Sequence, residues 1–269
     1  MFDALLIQPI LNILVIIYHA VSFVHIPYAL GFSIILLTVL IRIVLYPLTS
    51  SQLKVSTKMQ KLSPYLSRLK EQHKKDPKKL QEETMKLYKE HGVNPAAGCL
   101  PALVQIPIIW GLYTVLLKIV NLKESTILSE VNKLLYKESF YLQKVWDPSF
   151  FGLSLAATPT ALASTFPLIV LVPVITGLLQ FVQSKMMFAK QEKQNPQVKK
   201  DNKGDFASAL QMQSLYFFPV MIGFFSFQLP FGLSLYWNAF TIFGILQQYQ
   251  ISGWGGLEGW IFPSKKAAS

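Results

Sequence analysis

Arg42 is the residue with the clearest chemical potential, because it lies inside an apolar run long enough to cross a bilayer. Residues 26–48 carry this one charge, and at a rise of about 1.5 Å per residue they span about 34 Å. Arg42 lies about 9 Å from the end of the run. A charge at membrane depth costs at least about 2.5 to 3.5 kcal/mol, so the arginine indicates a function.

The partner of Arg42 is the first question that this position raises. No Asp or Glu lies inside any predicted membrane span, which excludes a permanent internal salt bridge at that depth. The remaining partners are water, a lipid phosphate, a backbone carbonyl or an acidic group that arrives with a substrate. Alternatively, Arg42 snorkels to the cytoplasmic phosphates and forms no site.

Polar side chains at helical spacing accompany Arg42 on three predicted helices. Thr38 and Tyr46 lie four residues on either side of it, and therefore on its face. The third and fifth spans add Thr176, Gln180, Gln183, Ser234, Trp237, Asn238, Thr241 and Gln248. If these stripes converge, they line a water-containing groove with a positive charge. Alternatively, they make ordinary hydrogen bonds between helices.

Position along each apolar run predicts the depth of these side chains. Gln180 and Gln183 lie near the inner end of their run, at the depth of Arg42. Trp237 lies near the start of its run, which is predicted at the outer face. The simpler interpretation of this tryptophan is a place in the belt of aromatic residues at the membrane surface.

Signatures of catalysis are missing from the sequence. It contains no HExxH, GxSxG, Walker A or GxGxxG pattern. Cys99 is the single cysteine, so no intramolecular disulfide can form, and a metal site built on it has no further support. We therefore expect a protein without a catalytic centre, a metal or a cofactor.

Composition indicates an integral membrane protein. Hydrophobic residues make up 52% of the chain and charged residues 14%, and the mean hydropathy is +0.38. The net charge of +11 could suggest nucleic acid as a partner. However, the basic residues fall in blocks between apolar runs, as in cytoplasmic loops, so no specific nucleic acid is expected.

The apolar runs predict an all-α polytopic protein with five transmembrane helices. The predicted spans are 26–48, 100–122, 166–187, 211–229 and 231–251, and together they form a core over residues 26–251. Residues 1–24 carry Gln8, Asn12 and His19 on one face, which is typical of a helix lying in the outer interface. A sixth span is the alternative for these residues.

Charge in the connecting segments predicts the topology. Residues 50–94 hold eleven Lys and Arg against five acids, which places them in the cytoplasm together with the loop 188–210 and the tail 252–269. The loop 123–165 has four Lys and four acids and is predicted outside. The amino terminus is then outside and the carboxyl terminus cytoplasmic.

Residues 50–94 have the pattern of a cytoplasmic helical hairpin. Asp76 followed by Pro77 predicts the start of a second helix, and Gly92 predicts its end. The hairpin is either a mobile paddle that meets an incoming chain, a ribosome or lipid head groups, or a solvated charge run that only anchors the topology.

Four long segments carry a resemblance to a known family. They read IRIVLYPLTSSQLKVSTKMQKLSPYL, MKLYKEHGVNPAAGCLPALVQIPIIWGLY, FVQSKMM and FFPVMIGFFSFQLPFGLSLYWNAFTIFGILQQY. In amino-acid sequence and in order they resemble the core of the YidC-type membrane-protein insertases, over roughly residues 26–249.

The resemblance implies a hydrophilic groove in the inner leaflet, closed outside and open to the cytoplasm and to lipid. The family's groove arginine falls on Arg42, its third-span glutamine on Gln183 or Gln180, and its fifth-span tryptophan on Trp237. Members also begin with an outer interfacial helix. The tail has only Lys265 and Lys266, whereas relatives that bind ribosomes strongly carry long basic tails.

The sequence therefore predicts a membrane-protein insertase in a bacterial plasma membrane. Its clients would be newly made membrane proteins, with lipids around it and the ribosome and a Sec translocon as further candidate partners. The predicted groove residues are Thr38, Arg42, Gln180, Gln183, Trp237, Asn238 and Thr241. Two alternatives stay open, a small-solute transporter or channel and a non-catalytic ribosome-receptor scaffold.

Overall fold

The structure is a computed structural model that describes residues 3–74, 76–94, 100–121, 124–187 and 213–262. Within these ranges the regular structure is helical apart from one short antiparallel hairpin of two strands, β1 (Ser149–Phe150) and β2 (Leu153–Ser154), and turns connect the elements. The helices are α1 (Gln8–Phe23), α2 (Ala29–Val44), α3 (Tyr46–Lys61), α4 (Ser63–Gln72), α5 (Pro77–Glu90), α6 (Leu100–Asn121), α7 (Glu124–Asn132), α8 (Pro159–Leu162), α9 (Leu171–Met186), α10 (Phe218–Ser226), α11 (Phe231–Ser252) and α12 (Glu258–Ile261).

Shorter helical turns extend several of these elements. Residues Asp3–Ile7 and Gln213–Phe217 form π-helical turns that lead into α1 and α10. The 3₁₀ turns are Glu138–Phe140, Pro167–Val170 and Gly255–Leu257. The prediction of a helical protein is confirmed. Cys99, the loop 188–210, Lys265 and Lys266 lie outside the described residues.

Length and apolar composition mark only some described helices as membrane spans. Ala4–Phe23 and Pro167–Met186 each qualify, and Ala29–Val44 with Tyr46–Lys61 qualifies only as one span broken at Leu45. Ile106–Leu117 and Leu215–Ser226 are apolar but shorter. The described residues thus contain two or three such helices, and the five spans and their orientation stay predictions. So does the interfacial placement of residues 1–24, since Ala4–Phe23 is long enough to cross.

The predicted first span is interrupted near its inner end. Helix α2 ends at Val44, and α3 begins at Tyr46 with Pro47 in its first turn. A proline in a first turn suits a helix start, because its missing N–H has no partner there anyway. Tyr46 therefore belongs to the next helix and is exposed, so its predicted place on the face of Arg42 is wrong.

The chain divides into two compact units. The first unit comprises Met1–Val44, Leu103–Gln180 and Phe218–Phe243. Its apolar core joins α1, α2, α6, the start of α11 and the segment from α7 to β2. Side chains that define this core are Leu14, Ile34, Leu37, Leu112, Leu116, Trp146, Ile169 and Tyr236.

The polar face of α1 docks a loop of the first unit. Asn12 is 2% exposed; its Nδ2 donates to the carbonyl of Leu134 at 3.1 Å, and its Oδ1 accepts from the amide of Tyr136 at 2.8 Å. A ring nitrogen of His19 lies 3.0 Å from the carbonyl of Phe140. Asn12 and His19 thus bind the segment after α7, which explains their spacing without interfacial water.

Gly31 is a glycine because an aromatic ring occupies the space of a side chain. A Cβ at this position would collide with the ring of Phe150 on β1. Phe150 also packs edge-to-face on Phe32 at 5.4 Å between centroids, a favoured aromatic geometry. This contact fixes the β1–β2 hairpin on α2.

The second unit comprises Leu45–Ala102, Phe181–Phe217 and Gly244–Ser269. Within it α4 and α5 pack against each other as a helical hairpin. The side chain of Asp76 accepts a hydrogen bond from the amide of Lys79 at 3.1 Å, and Gly92 has a φ of 62° beyond the end of α5. The predicted cap and stop of this helix are confirmed.

Buried polar contacts tie the end of α11 to α3 within the second unit. Gln247 is 2% exposed, and its Nε2 contacts Oγ1 of Thr49 at 2.7 Å and Oγ of Ser50 at 3.1 Å. The next residue, Gln248, donates to the carbonyl of Met186 on α9 at 3.3 Å. These amides act as bonds between helices, which is the simpler of the two interpretations of the fifth-span stripe.

Candidate functional site

Arg42 turns into the first unit and does not snorkel. The residue is 4% exposed in the last turn of α2. Its Nε and Nη2 both donate to the carbonyl oxygen of Phe240 on α11, at 3.1 and 2.6 Å. The partner is therefore a backbone carbonyl, one of the groups that the sequence left open.

The ring of Phe240 also covers the guanidinium. The Cζ atom of Arg42 lies 3.4 Å from the centroid of the Phe240 ring and 5.9 Å from that of Phe243. A cation over the face of a ring is attracted by its quadrupole, most strongly where water is excluded. Phe240 in turn packs against the buried ring of Tyr236 at 5.9 Å. One residue thus holds Arg42 twice, by its carbonyl and by its ring.

Charge at this position stays uncompensated within the described ranges, where no carboxylate pairs with Arg42. A carbonyl and a ring supply only partial negative charge, so the guanidinium keeps its net charge and a remaining attraction for an anion. The arrangement can therefore bind a carboxylate that arrives from elsewhere.

Thr38 and Thr241 are buried but satisfied within their own helices. Thr38 is fully buried, and its hydroxyl donates to the carbonyl of Ile34 at 2.7 Å. Thr241 donates to the carbonyl of Trp237 at 2.9 Å. Such bonds to the residue four positions back leave only the acceptor side of each hydroxyl for another group.

Gln180 and Trp237 meet in the first unit. Nε1 of Trp237 donates to Oε1 of Gln180 at 3.3 Å, so the two side chains lie together, and the different depths predicted for them stay a prediction. The start of α11, a few residues before Trp237, is covered by another segment of the first unit. The amide of Phe231 donates to the carbonyl of Ala157, and that of Gly232 to the carbonyl of Leu155, so the chain around 155–157 covers this helix end.

Asn238 and Gln183 differ from these residues in their burial and in their hydrogen bonds. Oδ1 of Asn238 is buried and has no hydrogen-bond partner in the described part of the chain, which costs free energy unless a donor reaches it. Gln183 belongs to the second unit and is half-buried. The structure thus joins Arg42 to Phe240 and Gln180 to Trp237, whereas the contact it shows for Gln183 is made by the backbone, whose carbonyl accepts from the amide of Met187 at 3.2 Å.

Phe240 is the residue of this site that sequence reasoning missed. Its main-chain carbonyl leaves no signal in a sequence, since every residue has one. Its ring lies three residues after Trp237, on the same face of α11, and that spacing was the available hint.

Metal chemistry finds no support among the described side chains. No group of three or more His, Cys, Asp or Glu residues there could hold a metal ion.

Comparison with known proteins gives a consistent set of relatives. A profile of the family described as "60Kd inner membrane protein" matches residues 20–255. Membrane protein insertase MisCA of Bacillus subtilis (strain 168) is 34% identical over 227 residues, which cover 83% of this chain and 70% of that protein. Membrane protein insertase YidC of Fusobacterium nucleatum is 34% identical over 221 residues, covering 82% and 85%.

A chloroplast protein is also among the relatives. Inner membrane protein ALBINO3 of Arabidopsis thaliana is 33% identical over 263 residues, which cover 91% of this chain and 51% of that protein. The chain thus spans about half the length of that relative. Because such proteins occur in more than one kind of membrane, the bacterial plasma membrane stays a prediction.

Proposed function

Because the chain belongs to the 60Kd inner membrane protein family, which includes proteins named membrane protein insertases, we propose that it is itself an insertase. It moves short hydrophilic regions of client proteins through a positively charged groove in the inner leaflet, and releases hydrophobic segments sideways into lipid. It has no catalytic centre and uses no cofactor.

The observation that carries this proposal is the position of Arg42. A cation that is 4% exposed, near the end of an apolar helix, and held by a carbonyl and a ring is costly to keep. An acidic group in a client region would recover part of that cost. The Gln180–Trp237 pair, Asn238, Thr241 and Thr38 supply the neutral polar surface of the proposed groove, and Gln183 stays a proposed member.

The proposed cycle needs no external chemical step. A client meets the hairpin of α4 and α5, and its acidic outer region is drawn to Arg42 while the neutral polar groups receive its backbone. The apolar segment then partitions into lipid, and burial of its apolar surface supplies the free energy. A membrane potential negative inside assists export of an acidic group by about 2.3 kcal/mol per charge per 100 mV.

The proposed setting follows from the charge pattern. We place the amino terminus outside and the basic hairpin in the cytoplasm of a bacterial cell. Clients are newly made membrane proteins, and the ribosome and a Sec translocon are candidate partners at the cytoplasmic side.

Site-specific photo-crosslinking from position 42 tests the proposal. A photoreactive residue there, in the full chain, should form adducts with a stalled nascent membrane protein whose translocated region is uncharged, because such a client does not depend on the arginine that the probe replaces. A probe at Leu36, which is 47% exposed on the same helix, serves as the lipid-facing control. Adducts at Leu36 and none at position 42 would contradict the groove.

Two further measurements separate the rival functions. Solute flux through the purified chain in liposomes would favour a transporter. Deletion of residues 54–89 with Arg42 intact would abolish the function of a receptor scaffold. An insertase would lose client docking but keep a residual insertion activity that depends on Arg42.

A further inference from the structure

The described part of the carboxyl-terminal tail is folded against the end of α9 in the second unit. After α11 the chain turns at Gly253, which has a φ of 67°, a conformation that favours glycine. Gly255 passes so close that a Cβ would collide with the carbonyl of Met186, and Leu257 is 6% exposed. The segment is therefore held in place by backbone approach and by one buried leucine.

Aromatic side chains of this segment remain exposed although they lie beside an apolar helix. Trp260 is 64% exposed and Phe262 is 61% exposed. The Trp260 ring lies 6.1 Å from that of Phe181, and the Phe181 ring lies 5.9 Å from that of Tyr216, which is also exposed. The rings of Trp260, Phe181 and Tyr216 thus form a contiguous and largely exposed aromatic patch, which marks an interaction surface.

Positive charge accompanies the patch. Nζ of Lys185, in the last turn of α9, lies 5.3 Å from the centre of the Trp260 ring. Lys265 and Lys266 follow a few residues later in the sequence. Aromatic rings with lysines beside them match the chemistry of a bilayer interface, where rings lie at head-group level and lysines meet phosphates.

The position of the patch on α9 selects the partner. Phe181 and Lys185 belong to the last turns of Pro167–Met186, a helix long and apolar enough to cross a membrane. The end of such a helix lies at the boundary between acyl chains and head groups. We infer that Trp260, Tyr216 and Phe181, with Lys185, form a docking surface for an anionic lipid interface, and that the tail, including the exposed Phe262 two residues after Trp260, is a membrane anchor.

Fluorescence quenching on the full chain tests this surface. Cys99→Ser combined with Phe262→Cys places one environment-sensitive label beside the patch. The chain is reconstituted in vesicles of phosphatidylcholine, alone or with phosphatidylglycerol, that carry quenchers near the head group or deep in the acyl region. Matched labels at Lys79, exposed on α5, and at Ile242, exposed on α11, report water and acyl chains respectively.

The expected result is strong quenching of the label at position 262 by the head-group quencher and protection from aqueous iodide. Phosphatidylglycerol should increase this quenching, and Lys185→Gln should reduce the increase. Iodide quenching equal to that at Lys79 would overturn the inference. Quenching that does not depend on phosphatidylglycerol would also overturn it. So would protection from iodide and from the lipid-borne quenchers together, because that result would mean that protein covers the patch.

Discussion

Replacing Arg42 by alanine should impair clients with an acidic translocated region and spare matched uncharged clients. The structure supports this because Arg42 is buried and its bonds go to the carbonyl of Phe240, so no carboxylate among the described residues competes with a client. The change removes a charge and leaves the client's acid without a partner at membrane depth.

The size of the effect follows from two opposing contributions. A carboxylate about 4 Å from the guanidinium gains about 4 kcal/mol at an effective dielectric constant of about 20. Loosening the bonds to the Phe240 carbonyl costs about 1.5 to 3 kcal/mol, the range for bonds to charged groups. The net gain of about 1 to 2.5 kcal/mol corresponds to a preference of about 5-fold to about 70-fold for the acidic client.

Insertion into proteoliposomes measures this preference. Client pairs that differ by Asp or Asn in the translocated region are compared by protease protection, with initial rates taken for the wild type and for Arg42→Ala. Equal loss on both clients, or no loss on either, would refute the electrostatic step and the proposed function with it.

Phe240 offers a sharper form of the same experiment. Phe240→Leu keeps the carbonyl and removes the ring, so a guanidinium that moves toward the client gives up less, and the acid preference should rise by up to the cation–π contribution of about 0.5 to 2 kcal/mol. Phe240→Tyr should keep the wild-type preference, and Phe243→Leu, whose ring is 5.9 Å away, should have a smaller effect. In the Arg42→Ala background Phe240→Leu should change nothing further, and an undiminished effect there would mean that the ring acts only in packing.

Three further outcomes are expected. Arg42→Lys should retain much of the acid preference in the same insertion assay, because it keeps the positive charge, and loss as complete as in the alanine variant would argue against a simple attraction. Gly31→Ala should lower the thermal stability of the detergent-solubilised chain by about 1 to 3 kcal/mol through its clash with the Phe150 ring, and Phe150→Leu should relieve the loss in the double variant. Asp76→Ala should weaken the start of α5 by about 0.5 to 2 kcal/mol, detected as faster amide hydrogen exchange at Lys79. An unchanged exchange rate would mean that the cap does not stabilise the helix.

Features that depend on neighbours in sequence were predicted well. Asp76 before Pro77 and Gly92 after the last turn locate α5 because caps act within one turn of the chain, and a mostly helical protein with apolar helices follows from the apolar runs. The break at Leu45 was not predicted although Pro47 was visible, since an apolar run hides a helix boundary when hydropathy alone is considered.

Contacts between distant residues were decided by packing. The sequence by itself determined that a lone arginine lies in an apolar run without acids around it, because composition and spacing are enough for that. Only the tertiary structure decided that the partner of this arginine is Phe240, 198 residues away, that Gln180 meets Trp237, and that Asn12 holds a loop. The physical reason is that these bonds form where helices and loops approach each other, and neither backbone carbonyls nor helix depth leave a mark in the order of side chains.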